Sequence, residues 1–564
     1  MPEYDLVIRG GTMVDGTGIP RYRADLAVKN GRIAMISGKI RAGGAQELDA
    51  GGCIVAPGAI DLHTHYDAQL NWDPYASLSG WCGVTSLTIG ECGFGFAPTR
   101  PEDRELNMRM MNRIEAIPLE SMRLGMRWDW ETLPQYLDSL DRQGLGVNVG
   151  ALVPFSPLRG YVLGMRPARE RTAVTEAELQ RMQQIFYEGM QAGAFGFSLD
   201  KNMEDRTEDG SPLPSMVASD EEFLALAEVL GAFGVGHIGL TLGFGLTPAQ
   251  RQATRQMVAQ MLRISGRPFH LLDVQQGEAP EWERRCRAEG LPLVFQRPAP
   301  VTGTEFKLSE YNMFDYMPHW VQPLVGSPEE RAAKLRDPTV RAAMRRDVEE
   351  WPNVRTDWSR VRVLEVVHAR HDQYEGVTIQ ALAAMTGEHP LDAFLDLALD
   401  EGLETAFWIP PRNAEEDLQA RAQLLKDPYT HISVSDGGAH TRFLTLSTWP
   451  VEWLSFWVRD REIMSLEQAH YKMSAYPAWF TDFTDRGTLR VGAWADIIVY
   501  NLEELGYLYD KPVYAHDFPG GERRLIQKPR GLRYTIVNGT VTFEENTCMG
   551  ALPGKLLRSS HMVG

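Results

Sequence analysis

Two histidines separated by one residue are the strongest chemical signal in the sequence. His63 and His65 end the apolar segment 59–65. On a β-strand, residues i and i+2 face the same side, so both imidazoles can reach one ion. Neutral imidazoles are good ligands for Zn²⁺ and similar ions. A His-x-His pattern is short, however, and two histidines at a strand end by chance, or packed against neighbouring strands, are the alternative.

Two further segments end in residues that could act with a metal. Asp436 follows the apolar run from residue 431 and precedes two glycines, which predicts a carboxylate at the carboxyl end of a strand; the alternative is an ordinary Asp-Gly turn. Cys92 follows a second apolar run, 84–91, and its thiolate could ligate or bridge metal ions. The alternative for a lone cysteine is a small buried apolar side chain.

The middle of the chain, residues 57–486, alternates apolar runs with helical patterns. Capping boxes begin helices at Thr175 and Ser219, and similar patterns begin them at Thr247 and Ser465. The candidate buried strands lie near residues 59–65, 84–92, 147–155, 194–200, 235–242, 268–274, 291–297 and 431–436. Eight strands interleaved with helices predict a (β/α)8 TIM barrel, in the α/β class. Such barrels typically need about 250 residues, so we expect large insertions at the barrel mouth near 95–145 and 298–430.

Both ends of the chain have strand patterns instead. Asn30-Gly31 and Asn538-Gly539 each separate two β-rich runs, which is typical of tight hairpins because both residue types tolerate positive φ. We therefore expect residues 1–56 and 487–548 to form one small composite β-sandwich domain. Residues 549–564 are expected to be a C-terminal tail.

Composition limits the partners and the compartment. The 564 residues include 57 basic and 75 acidic side chains, for a net charge of −18. Nucleic acid and anionic membranes attract basic surfaces, so neither is expected as a partner. No run of about 18 apolar residues and no signal-peptide pattern is present. Five scattered cysteines argue against a disulfide framework, so a cytoplasmic protein is expected.

The order of these motifs resembles the amidohydrolase superfamily, and within it the D-aminoacylase (N-acyl-D-amino-acid deacylase) branch. The resemblance covers nearly the whole chain. It is carried by the opening strand 6–16, the first metal motif 56–65, the cysteine motif 83–93 and the closing motif 485–496.

The resemblance implies a hydrolase of non-peptide C–N amide bonds with one or two Zn²⁺ ions and a small-molecule amide substrate. His63 and His65 would hold one metal, Cys92 would ligate or bridge, and Asp436 would coordinate weakly or shuttle protons. Bound zinc lowers the pKa of water to about 7, and a carboxylate can return the proton to the departing amine. The resemblance also allows a homo-oligomer.

The family also has histidine ligands after strands five and six. His237 and His270 lie on the matching strands, but His237 lacks the His-Met-Arg context of the branch, and His270 lies closer to its proline than the pattern requires. A core histidine with satisfied hydrogen bonds is the alternative for each. The missing arginine weakens the expectation of a free amino-acid carboxylate, since a guanidinium binds carboxylate with two parallel hydrogen bonds.

Two more residues are candidates for substrate contact. Lys201 ends strand four, where many amidohydrolases have a carboxylated bridging lysine; with Cys92 present, it is interpreted as a surface or substrate-contact residue. His440, four residues after Asp436, is a candidate substrate or proton-relay group.

The sequence is therefore compatible with three functions. The first is a deacylase of N-acyl-D-amino acids, and the second is an amidohydrolase of a cyclic amide, an aryl amide or another activated carbonyl. The third is a non-catalytic scaffold relative, which the presence of all four metal-motif residues disfavours. The Met-rich stretch 108–126 and the tryptophans at 320 and 351 indicate either an adaptable lid over the site or ordinary packing on the barrel.

Overall fold

The computed structural model describes residues 2–273, 279–310, 313–351, 353, 355–443, 445–509 and 511–559. The strands of this part of the chain are β1 (Tyr4–Met13), β2 (Tyr22–Lys29), β3 (Arg32–Ser37), β4 (Gly44–Asp49), β5 (Ile54–Pro57), β6 (Ala59–Asp61), β7 (Val84–Ile89), β8 (Asn148–Ala151), β9 (Val153–Pro154), β10 (Gly196–Lys201), β11 (His237–Leu242), β12 (Phe269–Asp273), β13 (Leu293–Gln296), β14 (Thr304–Phe306), β15 (Arg362–Glu365), β16 (Ala406–Ile409), β17 (Thr430–His431), β18 (Ile497–Tyr500), β19 (Gly506–Tyr507), β20 (Val513–Ala515), β21 (Arg524–Ile526), β22 (Pro529–Arg530), β23 (Leu532–Val537), β24 (Thr540–Glu544) and β25 (Thr547–Cys548).

Helices occupy most of the connections between the central strands. They are α1 (Ser77–Trp81), α2 (Arg104–Glu115), α3 (Leu119–Gly125), α4 (Leu133–Gln143), α5 (Phe155–Leu163), α6 (Met165–Glu170), α7 (Glu176–Gln191), α8 (Pro214–Val217), α9 (Asp220–Phe233), α10 (Pro248–Ser265), α11 (Ala279–Ala288), α12 (Pro318–Val321), α13 (Pro328–Leu335), α14 (Pro338–Glu350), α15 (Ile379–Thr386), α16 (Pro390–Asp400), α17 (Glu415–Lys426), α18 (Trp449–Glu452), α19 (Leu466–His470) and α20 (Tyr476–Phe480).

Both ends of the chain contribute to a nine-stranded sheet. Its order is β25-β24-β23-β18-β5-β1-β2-β3, with β4 paired to β1. Asn30-Gly31 and Asn538-Gly539 form two of its hairpin turns, and the φ values of both asparagines are positive, at 54° and 46°. Strands from the two β-rich ends therefore pair with one another, as expected from the sequence. The domain boundaries at residues 56 and 487 stay predictions.

The central strands are parallel. One sheet has the order β6-β7-β8, and a second has the order β17-β13-β12-β11-β10-β9. Only Leu152 separates β8 from β9, and an isolated parallel bridge joins Thr64, after β6, to Gly437, after β17. Seven of the eight segments predicted from the sequence overlap a strand of these two sheets over several residues, and the eighth, 431–436, shares only His431 with β17. The last one is shorter than predicted, because strand pairing covers Thr430–His431 and ends before Asp436.

Helix starts agree closely with the sequence. Complete capping boxes are present at Thr175, Ser219, Thr247 and Ser465, which begin α7, α9, α10 and α19. A capping box gives two otherwise unpaired backbone N–H groups a partner at each helix start. The helical connections between parallel strands are therefore encoded locally.

The two regions expected to be insertions pack differently. In the first, Met108, Met110, Met111, Met122 and Met126 are all buried in the main hydrophobic core, as the packing interpretation predicts. The second has its own apolar core, which contains Phe314, Trp320 and Phe394, with Trp351 packed against it. The second region therefore has an apolar core separate from that of the central strands.

The C-terminal tail is ordered along β8. Gly554 N–H donates to Leu145 O over 2.7 Å, and Leu557 N–H donates to Val149 O over 2.7 Å. Residues 560–564 of the predicted tail lie outside the described residues. Across the described part of the chain, helices are either too short or too polar to cross a bilayer.

Candidate functional site

Backbone hydrogen bonds tie the His-x-His segment to the segment that carries Asp436. His65 N–H donates to Gly437 O over 2.7 Å, and Asp436 N–H donates to His63 O over 3.1 Å. A Cβ on Gly438 would lie 2.6 Å from His65 O, so only glycine permits this approach. The glycines after Asp436 therefore bring the two motifs together.

The side chains of the four motif residues converge. His63 Nε2 lies 3.1 Å from Cys92 Sγ and 3.2 Å from Asp436 Oδ1. His65 Nε2 lies 3.9 Å from the same Asp436 oxygen. The three non-acidic residues are buried, whereas the Asp436 side chain is 22% exposed. Asp436 is thus the member of the group that a substrate can reach.

The donor set fits a metal ion. Ligand atoms on a tetrahedral zinc lie roughly 3.4–3.6 Å from one another, given metal–ligand distances of about 2.0–2.3 Å. Donor atoms of His63, His65 and Cys92 all lie within 4.8 Å of one another. His65 Nδ1 is buried and has no hydrogen-bond partner among the described residues. Burial and the neighbouring imidazoles hold the pKa of His65 well below its usual value, which favours the neutral, ligating form.

Three residues of this centre adopt left-handed backbone conformations that are uncommon outside glycine. The φ values of Cys92, Asp436 and His440 are 52°, 48° and 55°. Each such residue costs about 1–3 kcal/mol and persists where the surrounding structure enforces it. Their concentration at one place marks a functional site.

Cys92 is held as a thiol by its surroundings when no cation is bound. Burial raises the pKa of the Cys92 thiol well above its ordinary value, and the nearby carboxyl groups of Glu115 and Asp436 raise it further. Thr241 Oγ1 lies 3.0 Å from Cys92 Sγ and partly offsets this effect. A coordinating metal ion reverses this preference, because a metal-bound thiol is deprotonated.

Glu115 is a site residue that the sequence reasoning missed. It is the last residue of α2, in the region 95–145 expected to be the first insertion, and it is buried. Glu115 Oε1 lies 3.6 Å from His65 Nε2, and Oε2 lies 3.2 Å from His440 Nε2. Burial, together with Asp436 and other carboxyl groups, raises the pKa of Glu115 well above its ordinary value. The insertion therefore contributes an acidic group directly to the centre.

A sequence signal for Glu115 existed. It lies four residues after Met111 on the buried stripe of α2, where an acidic residue is unusual. It also stands at the carboxyl end of a helix, where the helix dipole disfavours a negative charge. A carboxylate placed against both tendencies indicates a specific partner.

His237 and His270 belong to a second, deeper group with Glu91. Their donor atoms lie within 4.8 Å of one another, and His270 Nε2 is 3.3 Å from Glu91 Oε2. His237 is the first residue of β11, whereas Thr241, beside Cys92, is near its carboxyl end. His237 therefore lies at the amino end of β11, most of a strand away from the carboxyl end, where the family resemblance implies a ligand.

The Gln296 side chain connects the two groups. Its Oε1 is 2.9 Å from His63 Nδ1, and its Nε2 is 3.3 Å from His270 Nδ1. Both nitrogens of His237 are buried without a hydrogen-bond partner among the described residues, as expected of a ligand more than of a packed core histidine. The second group therefore also has the chemistry of a metal site.

The two candidate substrate residues are placed differently. His440 lies in the centre, beside Glu115, and burial lowers the pKa of its imidazole. Lys201 Nζ instead donates to Ser215 O over 2.8 Å and lies 4.7 Å from the Phe223 ring centre. The structure therefore brings His440 to Glu115, which also faces His65, whereas the amine of Lys201 is turned toward α8 and α9.

The fold and the site define the class of this protein. The model of the amidohydrolase family matches residues 46–543, most of the chain. The chain therefore belongs to the amidohydrolase family and is a hydrolase of carbon–nitrogen amide bonds other than peptide bonds.

Its relatives include deacylases. The chain is 27% identical to N-acyl-D-glutamate deacylase of Alcaligenes xylosoxydans xylosoxydans, over 98% of this chain and 96% of that protein. It is 26% identical to D-aminoacylase of the same organism, over 98% and 97%. The crystal structure of N-acyl-D-glutamate deacylase from Bordetella bronchiseptica, complexed with zinc and a phosphonate inhibitor, has a TM-score of 0.65 at 24% identity, covering 99% of this chain and 100% of that one. This last likeness shows the shared fold.

Proposed function

We propose that this chain is a zinc-dependent deacylase of N-acyl-D-amino acids. The observation that carries the proposal is the convergence of His63, His65, Cys92 and Asp436, with separations between donor atoms that suit one ion. Similarity to deacylases over almost the full length of both chains supports this substrate class.

The proposal includes the finer architecture. The two parallel sheets would close into a (β/α)8 barrel at the bridge between Thr64 and Gly437 and across Leu152. Residues 57–486 would form this barrel with its insertions, and residues 1–56 and 487–548 would form the composite β-sandwich domain. This arrangement would place the loops after β6, β7 and β17 at one rim, where barrel enzymes have their active sites.

His63, His65 and Cys92 would hold the first zinc ion, and Glu91, His237 and His270 offer donors for a second. Zinc is favoured over magnesium or calcium because the donors are imidazole and thiol groups. When bound, the ion lowers the pKa of water and polarises the scissile carbonyl. Gln296 would set the orientation of the His63 ring, since its amide oxygen accepts from Nδ1 and leaves Nε2 free as a ligand.

Asp436 would transfer the proton in this reaction. Its carboxylate is partly exposed and lies beside both metal-motif histidines, so it can accept a proton from the attacking water. It can then return the proton to the departing amine, which leaves poorly as an anion. His440, positioned by Glu115, would donate a hydrogen bond to the substrate carbonyl or carboxylate.

Substrate assays test this function directly. The zinc-loaded protein should hydrolyse N-acetyl-D-amino acids, and the corresponding L-enantiomers should be poor substrates. Hydantoins and aryl amides are the rival substrates, because they need no carboxylate-binding group. If no N-acyl-D-amino acid is turned over while a hydantoin or an anilide is, the deacylase proposal is wrong and the cyclic- or aryl-amide function replaces it.

A further inference from the structure

A buried arginine outside the metal centre has no hydrogen-bond partner among the described residues. Arg297 directly follows β13, and its side chain is 3% exposed. Its Nε, Nη1 and Nη2 atoms are all buried without a hydrogen-bond partner among the described residues. A guanidinium stays protonated in proteins, and burying an unpaired charge costs several kcal/mol. Arg297 therefore needs a counter-charge.

The acidic residues around Arg297 are already engaged by other arginines. The carboxylates whose charges act most on Arg297 are Glu283, Asp273 and Asp427. Glu283 and Asp427 both pair with Arg287, and Asp273 lies 3.1 Å from Arg251. The charges of these carboxylates make the electrostatic potential at Arg297 more negative, but none of the three accepts a hydrogen bond from its guanidinium.

Arg297 lines a cavity of about 500 Å³ whose charged lining is mainly basic. Arg412 and Arg421 also line it, and Asp417 is its acidic member. Arg421 Nη2 donates to Pro298 O over 2.6 Å, which fixes that side chain at the wall. The apolar side of the cavity includes Phe244 and Leu424. Such a pocket has room and charge for a small anion.

The cavity lies next to the candidate metal centre but on the other side of β13. Gln296 contacts His63, and side chains of successive residues in an extended segment point to opposite sides. The next residue, Arg297, therefore faces away from His63. The guanidinium carbon of Arg297 lies 4.8 Å from the centre of the Phe295 ring. Phe244 lines the cavity and follows β11 at the same end of the strands as Thr241. An anion held here would be separated from His63 by the β13 backbone.

We propose that this cavity is an oxyanion-binding site, in which Arg297 grips a carboxylate or phosphate group with two parallel hydrogen bonds. Arg297 has the donors and meets no acceptor in the described part of the chain, and bidentate binding of an oxyanion would supply both the charge and the geometry. The oxyanion is a free anion such as inorganic phosphate and not the substrate carboxylate, because that carboxylate lies only a few bonds from the amide at the metal centre, across the β13 backbone from Arg297. A site for a free anion stands independently of the proposed function.

Thermal unfolding of the zinc-loaded full-length protein tests the site without any need for turnover. Inorganic phosphate, titrated at constant ionic strength against chloride, should raise the Tm of the wild type with saturation. Arg297→Met should remove this response and should unfold at a higher Tm than the wild type in chloride alone. Arg166→Met removes an exposed arginine and should respond like the wild type. Phosphate binding at the metal would persist in R297M, so it cannot imitate the expected result.

Kinetics then separate the two sources of the oxyanion. If the substrate carboxylate bound Arg297 instead, R297M would raise KM for an N-acetyl-D-amino acid at least 10-fold but leave KM for its neutral carboxamide unchanged. If a free anion binds, as proposed, the ratio of the two KM values is the same in R297M and the wild type.

Two results would overturn the proposal: a wild-type Tm that does not respond to phosphate, or an undiminished response in R297M. Should R297M fail to fold, Arg297→Lys keeps the charge and loses the planar fork, and it should need at least 10-fold more phosphate for half of the Tm shift. An R297K response equal to that of the wild type would then contradict the proposal. Failure of the deacylase function would leave the phosphate response intact, so the two failures are distinguishable.

Discussion

Glu115 Oε2 lies 3.2 Å from His440 Nε2, and this contact joins the first insertion to the loop after Asp436. The two residues are also linked through the backbone, because His440 N–H donates to Glu115 O over 2.6 Å. The other carboxyl oxygen of Glu115 faces His65. The insertion therefore supports the metal-motif histidine and the candidate substrate-binding histidine at once.

Glu115→Gln should weaken metal retention and catalysis together. The amide cannot balance the charge of a bound cation. Loss of a side chain that contacts a metal-ligating histidine typically costs 10- to 100-fold in metal affinity or activity. Metal content after dialysis against a graded chelator series, with kcat/KM, measures both effects. Glu105→Gln changes an exposed glutamate of the same helix and is the matched control. Equal metal affinity in E115Q and E105Q would show that Glu115 has no such role.

Cys92→Ala should lower zinc stoichiometry in the purified protein. The thiolate would be the softest ligand of the first ion, and its removal leaves two imidazoles and a partly exposed carboxylate. Elemental analysis per chain gives the readout. Cys82→Ala removes another buried thiol and controls for the cavity that the substitution creates. The ligand assignment would not survive a C92A protein that binds as much zinc, as tightly, as C82A.

Asp436→Asn should reduce kcat by about 10²- to 10⁴-fold, the usual contribution of general acid–base catalysis. Zinc content should stay close to that of the wild type, because His63, His65 and Cys92 remain. Asp460→Asn, at an exposed helix end, is the control. A kcat within threefold of the wild type would remove Asp436 from the proton-transfer role.

Lys201→Met tests both stability and the predicted substrate contact. Burial lowers the pKa of Lys201 to about 8, against the charges of Asp220, Asp200 and Glu222, which raise it. The folded-state pKa is below the unfolded one, near 10.4, so charging this amine opposes folding below about pH 8. The wild-type free energy of unfolding should therefore rise from about pH 8 to 10.5, and K201M should lack that part of the rise.

At pH 7, K201M should be more stable than the wild type by at most about 3 kcal/mol. Its kcat/KM should be unchanged, because the amine contacts Ser215 and Phe223. Denaturant unfolding across this pH range, with substrate assays, measures both quantities. A 10-fold loss of kcat/KM would instead support the substrate contact that the family resemblance suggested.

Gly239→Ala should disturb the deeper histidine group. A Cβ at this position would lie 2.5 Å from His270 Nε2 and 2.8 Å from Glu91 Oε2, so the pair must move. Overpacking of this kind costs about 1–3 kcal/mol, which thermal unfolding can detect. Gly38→Ala meets no atom within 4 Å and is the control. Equal Tm values for the two variants would show that the Glu91–His270 pair has room to shift.

Short-range patterns were enough for much of this protein. The capping boxes at Thr175 and Ser219 and the turn at Asn30-Gly31 depend on neighbours a few residues away, so the sequence contained them in full. The family resemblance was likewise carried by contiguous motifs, and the family match confirms it.

Contacts between distant segments could not be obtained in this way. Glu115 and His440 are separated by more than three hundred residues, and their contact depends on how the first insertion packs. The register of β11 decides that His237 lies deep beside His270 and that Thr241 lies beside Cys92.

The sequence by itself determined the alternating elements, the motif residues and the class of chemistry, because each is encoded within a few residues. Only the tertiary structure decided which side chains share the centre and which charge is left unpaired. Glu115 joins the centre, Lys201 turns away from it, and Arg297 lacks a partner in the described chain because the acids around it are held by other arginines. Such outcomes depend on long-range packing and the competition among charges, which no local pattern records.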